Sequence, residues 1–450
     1  MGPTSSPCHV AFLAFPFGTH AAPLYSLATA LASADDDGTA IFSFFTSARS
    51  ASSLPPVPRI KIFYVADGTT PGHVALNESP HLKVDRFISM VPINFNDAFD
   101  ASVTASGGIG FTCLITDAFL SFSGAVAKKL AIPWITVWTG GPSNLATHVH
   151  ADLIRQKNLS NEDDLGFIPG LSGLRIKDLP DNFVGGDLTK GFLKLLHGMK
   201  LTLPDADAVV CNTFQGLDPD LDSDFRSEFK RYYPVGPLSL LNPVQTKPED
   251  RFGCIKWLEQ HKPHSVVYVS FGTVVSLPGS ELAELAHGLE SSGVHFIWSL
   301  KDSFREFLPD GFLDRTKEQG MVVAWVPQAE VLAHESTGAF VTHCGWNSVL
   351  ESIAGAVPLV CRPVLGDQPV NARMVTGVWR VGVGFEGKGI ERGELVKCLE
   401  KVVKGEEGKG MRERMRRLKD MALSAVGVEG SSMRNLKALM EMLVGKSGRV

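Results

Sequence analysis

The chain reads as an α/β protein of two successive βαβα halves, each a parallel sheet covered by helices on both faces. Three observations predict this. Strand-like apolar runs alternate with helical ones from the start. The alternation lapses over 234–248, which carries four prolines and no clear period, and then restarts. Polar residues able to do chemistry stand at the ends of strand-like runs, where such sheets bind their ligands. At 450 residues the chain is long for one core, so two or three domains suit its length.

In the first half, the apolar run 9–15 ends at Pro16-Phe17-Gly18-Thr19-His20. A helix pattern follows over 21–33, with Pro23 tolerated because it falls in the first turn. Strands are expected at 40–45 and 60–65, and a helix over 87–103. Residues 113–116 form a short apolar strand with Asp117 at its end. Helix 121–130, strand 134–138 and the turn Thr139-Gly140-Gly141-Pro142 come next. The stretch 157–186 is rich in Gly, Pro, Asn and Asp and reads as an irregular segment over a cleft. Helix 192–203, strand 208–212 and helix 219–229 complete this half, and 241–252 serves as the linker.

The second half opens with strand 265–271, the turn Gly272-Thr273, helix 279–291, and strands 294–300 and 321–324. The most informative stretch is the 44 residues 325–368. It begins with Trp325, Val326, Pro327 and Gln328. A β-like run, 339–342, leads into His343-Cys344-Gly345-Trp346-Asn347-Ser348, and a helical run follows from 349 to about 355. The apolar run 358–361 and the pair Asp367-Gln368 close it. Strand, glycine turn and helix together point backbone N–H groups at an anion. The flanking side chains supply a flat π-face, two carboxylates, two amides and an imidazole. That set suits a ligand with a ring, a hydroxylated sugar and phosphates. Ser348-x-x-Glu351 also matches a capping box, which would make Ser348 the helix cap. Helices are then expected at 368–378, 392–403, 409–425 and 431–444. His20, Asp117 and Thr139 in one half, and Thr273, Trp325 and His343 in the other, lie at strand ends, which implies a cleft between the two domains.

The totals exclude several classes. Hydrophobic content of 44% and charged content of 20% are globular values. A net charge of −5 gives no basic excess for nucleic acid or an anionic membrane surface. Seven scattered cysteines without a C-x-x-C pair suggest free thiols in a reducing compartment. The start, MGPTSSPCHV, lacks the pattern of a secretory signal, and Pro3 discounts a myristoylation reading of Gly2. No window reaches the ~20 apolar residues of a membrane helix, so a cytoplasmic protein is expected. No His/Cys set at ligand spacing suggests a metal. No strand is followed by G-x-G-x-x-G with an acid ~20 residues on, which argues against a dinucleotide oxidoreductase.

The 325–368 stretch resembles the signature box of the plant family-1 glycosyltransferases that use UDP-sugars. FPFGTHAAPL, CLITDAF, WTGGPSNLATHV and SFGT elsewhere in the chain look like the same family, nearest its flavonoid (flavonol or anthocyanidin) 3-O-glucosyltransferases. The resemblance implies the GT-B architecture, two facing Rossmann-like domains. Residues 1–240 would bind the acceptor and 253–430 the UDP-sugar, with 431–450 a terminal helix packing back on the first domain. The reaction implied is inverting transfer of glucose from UDP-glucose to a flavonoid 3-hydroxyl, with UDP-galactose, another UDP-sugar or another phenolic position as the alternative. His20 would be the general base and Asp117 its partner. Trp325 would stack on uracil, with Val326 and Gln328 beside it. His343, Trp346, Asn347, Ser348, Thr19 and Thr273 would hold the diphosphate. Glu351 would hold the ribose, and Asp367, Gln368 and Thr139 the sugar. Phe17, His81, Phe119, His148 and Leu365 would face a flat aromatic acceptor, with His150 competing for the place of His148. No metal or other cofactor is implied, and a monomer is expected. One departure stands out: Gly18 occupies a position where close relatives often have serine, removing a hydroxyl contact to the donor. Gln368 fits glucose better than galactose, for which the family often carries histidine.

Overall fold

The structure, a computed structural model, describes residues 8–35, 37–68, 80–180, 183–241, 249–272, 277–385, 387 and 389–444. Thr273 and the side chain of His81 lie outside the described residues, and their expected roles with them. The chain divides into two compact units.

Unit 1 comprises Met1–Lys157, Asn182–Gln245 and Ser424–Val450. Its sheet has seven parallel strands: β1 (His9–Leu13), β2 (Ile41–Thr46), β3 (Ile60–Tyr64), β4 (Cys113–Asp117), β5 (Trp134–Trp138), β6 (Ala208–Cys211) and β7 (Tyr232–Pro234). Their order is β3-β2-β1-β4-β5-β6-β7. Every residue of β1, β4 and β5 is buried, which is why they read as unbroken apolar runs rather than alternating ones. The order reverses between β1 and β4, and the crevice beyond the carboxyl ends of two such strands is where ligands bind.

The Ala- and Leu-rich helix Ala21–Ala34 follows β1 and buries Leu24, Leu27, Ala28 and Leu31 on the sheet. The single helix expected over 87–103 is two, Pro80–Met90 and Ile93–Ala105. Pro92 separates them, since proline lacks an N–H and disfavours helical geometry in the residue before it. The last helix, Ser431–Leu443, belongs to this unit. Leu436, Leu439, Met440 and Leu443 enter its core, Ser432 Oγ donates to the Gly236 carbonyl at 2.6 Å, and Asn435 Nδ2 to that of Pro234 at 2.8 Å.

Unit 2 comprises Asn158–Asp181 and Thr246–Leu423. Its six parallel strands are β8 (Val266–Ser270), β9 (His295–Ser299), β10 (Gly320–Val323), β11 (Thr337–Thr342), β12 (Leu359–Cys361) and β13 (Gly382–Gly384). The order is β10-β9-β8-β11-β12-β13, so the reversal falls between β8 and β11. The glycine-rich β13 carries no apolar run and was not expected from the sequence. The helices expected over 368–378 and 392–403 are α-helical only as Gln368–Arg373 and Arg392–Leu399, and each runs on into a π-helical stretch. The irregular segment 158–181 sits with unit 2 although the chain around it builds unit 1. Arg373 holds it: its Nε donates to the Gly173 carbonyl at 2.6 Å and lies 3.6 Å from Asp178 Oδ2. Among the described residues no helix is long and apolar enough to cross a membrane. All seven cysteines are free and buried.

Candidate active site

In unit 1, neighbouring strand ends bring three polar side chains together. Leu13 of β1 pairs with Thr116 of β4, and Asp117 pairs with Val137 of β5. His20, ending the loop after β1, Asp117, ending β4, and Thr139, following β5, therefore converge. His20 Nδ1 lies 2.7 Å from Asp117 Oδ2 and 3.1 Å from Thr139 Oγ1. Asp117 is 1% exposed, and its other oxygen accepts the Phe119 N–H at 2.9 Å. A buried carboxylate on Nδ1 keeps the proton on that nitrogen and makes Nε2 the basic one. Thr139, expected on the sugar, here joins the imidazole.

Aromatic rings wall this pair. Phe119 and Phe15 lie 4.8 and 5.2 Å from the His20 ring, centroid to centroid. Phe17 packs on Phe15 and Phe87, and Phe119 on Trp138 and Phe192. The sequence reading named Phe17 and Phe119 but missed Phe15, Phe87, Trp138 and Phe192, whose apolar runs read simply as core. His148 is buried between Trp138 and Phe183 and opens on a small hollow lined also by Arg155, Leu188, Leu196 and His197. Burial pulls its pKa down to about 4, so it is neutral at physiological pH. His150, its competitor, is bonded instead to Asp224, Nε2 to Oδ2 2.8 Å. With Glu228 this pair forms a group with ligand atoms within 4.8 Å of one another, a juxtaposition of possible metal ligands that sequence spacing did not reveal. Gly18 has φ +65°, a left-handed conformation in which serine would be strained. Glycine there serves the loop geometry that brings His20 to the strand ends.

In unit 2, His343 follows β11 and lies against two glycines. A Cβ on Gly345 would stand 2.7 Å from its Nε2, and one on Gly272 3.0 Å from its Cε1. Burial lowers the His343 pKa to about 4, so it is neutral at physiological pH. Helix Trp346–Gly355 starts three residues earlier than expected, with Gly345 as its N-cap. The capping-box reading of Ser348 and Glu351 is therefore overturned: both lie inside the helix. Gln328 occupies them instead, its Nε2 donating to Ser348 Oγ at 3.0 Å and Glu351 Oε2 at 2.5 Å, while its Oε1 accepts the Tyr268 hydroxyl at 3.0 Å. The first-turn N–H groups, Trp346 to Ser348, are those a helix leaves for a ligand. Asn347 is half-buried there, and the Trp346 indole is buried 6.4 Å from Trp379.

Trp325 follows β10 with 43% of its surface exposed, unusual for tryptophan, whereas its neighbour Val326 is buried. Beyond β12, Gln368 is 5% exposed and its Oε1 accepts the backbone N–H groups of Val364 and Leu365, at 2.9 and 3.0 Å. Its acceptor thus staples the loop, and the amide NH₂ is the end suited to a sugar hydroxyl. Asp367 is half-buried and accepts from Asn371 at 2.8 Å, while Leu365 is exposed.

Burial raises the Glu351 pKa from 4.5 to about 7, against the opposing hydrogen bond from Gln328. The folded chain then holds a proton that the unfolded chain has released, and stability falls as pH rises through that window. Glu351→Gln is expected to abolish this fall. Its Tm relative to the native protein should rise from about pH 5 to about pH 7.5 in parallel thermal melts; a constant difference would contradict the raised value.

A parallel sheet with an imidazole–carboxylate pair at its switch point, and a second with a helix that begins at a glycine turn just past a strand end, are the parts of a group-transfer enzyme acting on a phosphorylated ligand. The model of the family described as "UDP-glucoronosyl and UDP-glucosyl transferase" matches residues 221–421. The chain is 44% identical to the flavonol 3-O-glucosyltransferase of Arabidopsis thaliana, over 97% of each chain. It is 43% identical to the anthocyanidin 3-O-glucosyltransferase of Vitis vinifera, over 98% of this chain and 99% of that one. The crystal structure of a UDP-glucose:anthocyanidin 3-O-glucosyltransferase in complex with UDP superposes with a TM-score of 0.91 at 37% identity, covering 98% of this chain and all of the other. The chain belongs to the UDP-glycosyltransferase family and has its GT-B architecture.

Proposed function

We propose that this enzyme transfers glucose from UDP-glucose to the 3-hydroxyl of a flavonoid with inversion at the anomeric carbon. The observation that carries the reading is the His20–Asp117 pair, 2.7 Å apart at the switch point of unit 1 and walled by phenylalanines. The names of the relatives at 43–44% identity supply the acceptor class and position.

His20 Nε2 takes the proton of the acceptor hydroxyl as its oxygen bonds to the anomeric carbon and the bond from that carbon to UDP breaks. The Asp117 carboxylate stabilises the imidazolium that results, and Thr139 steadies the ring. UDP departs with its charge received by the first-turn N–H groups of Trp346, Asn347 and Ser348, with His343 and Thr19 adding hydrogen bonds. This leaves no task that requires a metal ion. Trp325 stacks on uracil beside Val326 and Gln328, and Glu351 holds the ribose. Asp367 and Gln368 hold the sugar, Gln368 favouring glucose over the galactose alternative. Phe17, Phe119 and the neutral His148 present a flat, mostly apolar surface to the flavonoid. The buried free thiols suit a reducing compartment such as the cytoplasm.

A panel of UDP-sugars against flavonols and anthocyanidins tests the reading. UDP-glucose with a 3-hydroxylated flavonoid should give the highest kcat/KM, and preference for a flavonoid lacking that hydroxyl would contradict it. Trp325→Ala is expected to weaken UDP binding about tenfold or more, the scale of base–aromatic stacking. Calorimetry with UDP measures this, and unchanged affinity would remove the indole from the donor site.

A further inference from the structure

Asn371 lies three residues beyond the signature stretch, in helix Gln368–Arg373, and is 1% exposed. Its single amide nitrogen makes two hydrogen bonds: to the Cys344 carbonyl at 3.0 Å and to Asp367 Oδ2 at 2.8 Å. Both protons of the NH₂ group are therefore used. The two acceptors belong to different parts of the donor site. Cys344 lies in the turn between β11 and the helix N-cap Gly345, at a left-handed φ of +64° that a non-glycine residue holds only when its surroundings fix it. Asp367 carries one of the two groups assigned to the sugar.

A trans peptide is planar, so holding the Cys344 oxygen toward buried Asn371 turns the Gly345 N–H the opposite way, away from that side chain. The same amide fixes the rotamer of the Asp367 carboxylate. We infer that Asn371 is a positioning residue for donor binding, one buried amide that sets both the phosphate-facing turn and the sugar-facing carboxylate. It touches neither ligand itself. The inference rests on the reading of Asp367 as a sugar contact.

The test is a double-mutant cycle on the full-length enzyme. Calorimetry reads UDP affinity, and steady-state transfer from UDP-glucose reads kcat and KM. Asp367→Ala should reduce kcat/KM for UDP-glucose at least tenfold and leave UDP affinity unchanged. If it transfers normally, the sugar-site reading itself falls. Asn371→Ala should weaken UDP several-fold and also reduce kcat/KM beyond that loss. On the Asp367→Ala background its effect should shrink to the loss seen with UDP alone. Losses that multiply in full, or unchanged UDP affinity in Asn371→Ala, would overturn the inference while leaving the Asp367 reading intact. Asn371→Asp keeps the volume, and thermal melts beside the native protein check that it folds. Its new carboxyl faces that of Asp367, and only when one of the two is protonated can a hydrogen bond form between them. The kcat/KM of this variant relative to native should therefore climb as pH falls. A ratio independent of pH would count against a positioning role.

Discussion

Replacing His20 by alanine is expected to slow flavonol glucosylation about 10²- to 10⁴-fold, the range that general acid–base catalysis contributes, and to leave UDP affinity unchanged. The asymmetry follows from where the groups lie. His20 is in unit 1, whereas the tryptophan, glutamine and helix N-terminus proposed for UDP are in unit 2. Thr19 is the one exposed neighbour on the same loop assigned to the diphosphate, and the substitution leaves its backbone in place. Calorimetry with UDP and initial rates with a flavonol check the two halves of the expectation. A variant that transfers at the native rate would remove His20 as the base, and one that loses UDP binding would show that the loop, not the imidazole, had been damaged.

Asp117→Asn has the second largest expected effect, and hydrogen bonds dictate its direction. One carboxylate oxygen of Asp117 accepts the Phe119 N–H and the other faces His20 Nδ1. Asparagine has a single oxygen, which the Phe119 N–H claims. Its NH₂ must then face Nδ1, which becomes the acceptor, and the ring proton moves to Nε2. The imidazole is held in place with its basic nitrogen blocked. A fall in kcat of about 10²- to 10⁴-fold is expected, comparable with removing the base. Asp117→Ala leaves the ring free to take either tautomer and should be less damaging than Asp117→Asn. If the alanine variant is as slow as the asparagine one or slower, the tautomer argument fails.

Local pattern made much of the fold legible. The strands beside the reaction centre are short apolar runs bounded by turn residues, and β5 was placed at 134–138 as observed. The approach of His20, Asp117 and Thr139 could be anticipated because parallel strands carry their functional residues at one end. Errors arose where a distant contact overrode the local pattern. Segment 158–181 reads as an irregular segment within the first half, yet Arg373, some two hundred residues later in the chain, ties it to unit 2. Ser348 and Glu351 have the spacing of a cap, but Gly345 begins the helix and Gln328 claims both side chains. The break at Pro92 was legible and was overlooked. Asn371 and the oxygen of Gln368 gave no sequence signal, because an amide shows its partners only once the chain is folded.

The most direct test of the central claim is the NMR spectrum of the product formed from UDP-glucose and a flavonol. One glucose on the 3-oxygen, with the large anomeric coupling of a β-linkage, is the result predicted for a single displacement with His20 as base. An α-linked product, or glucose on a different ring oxygen, would contradict it.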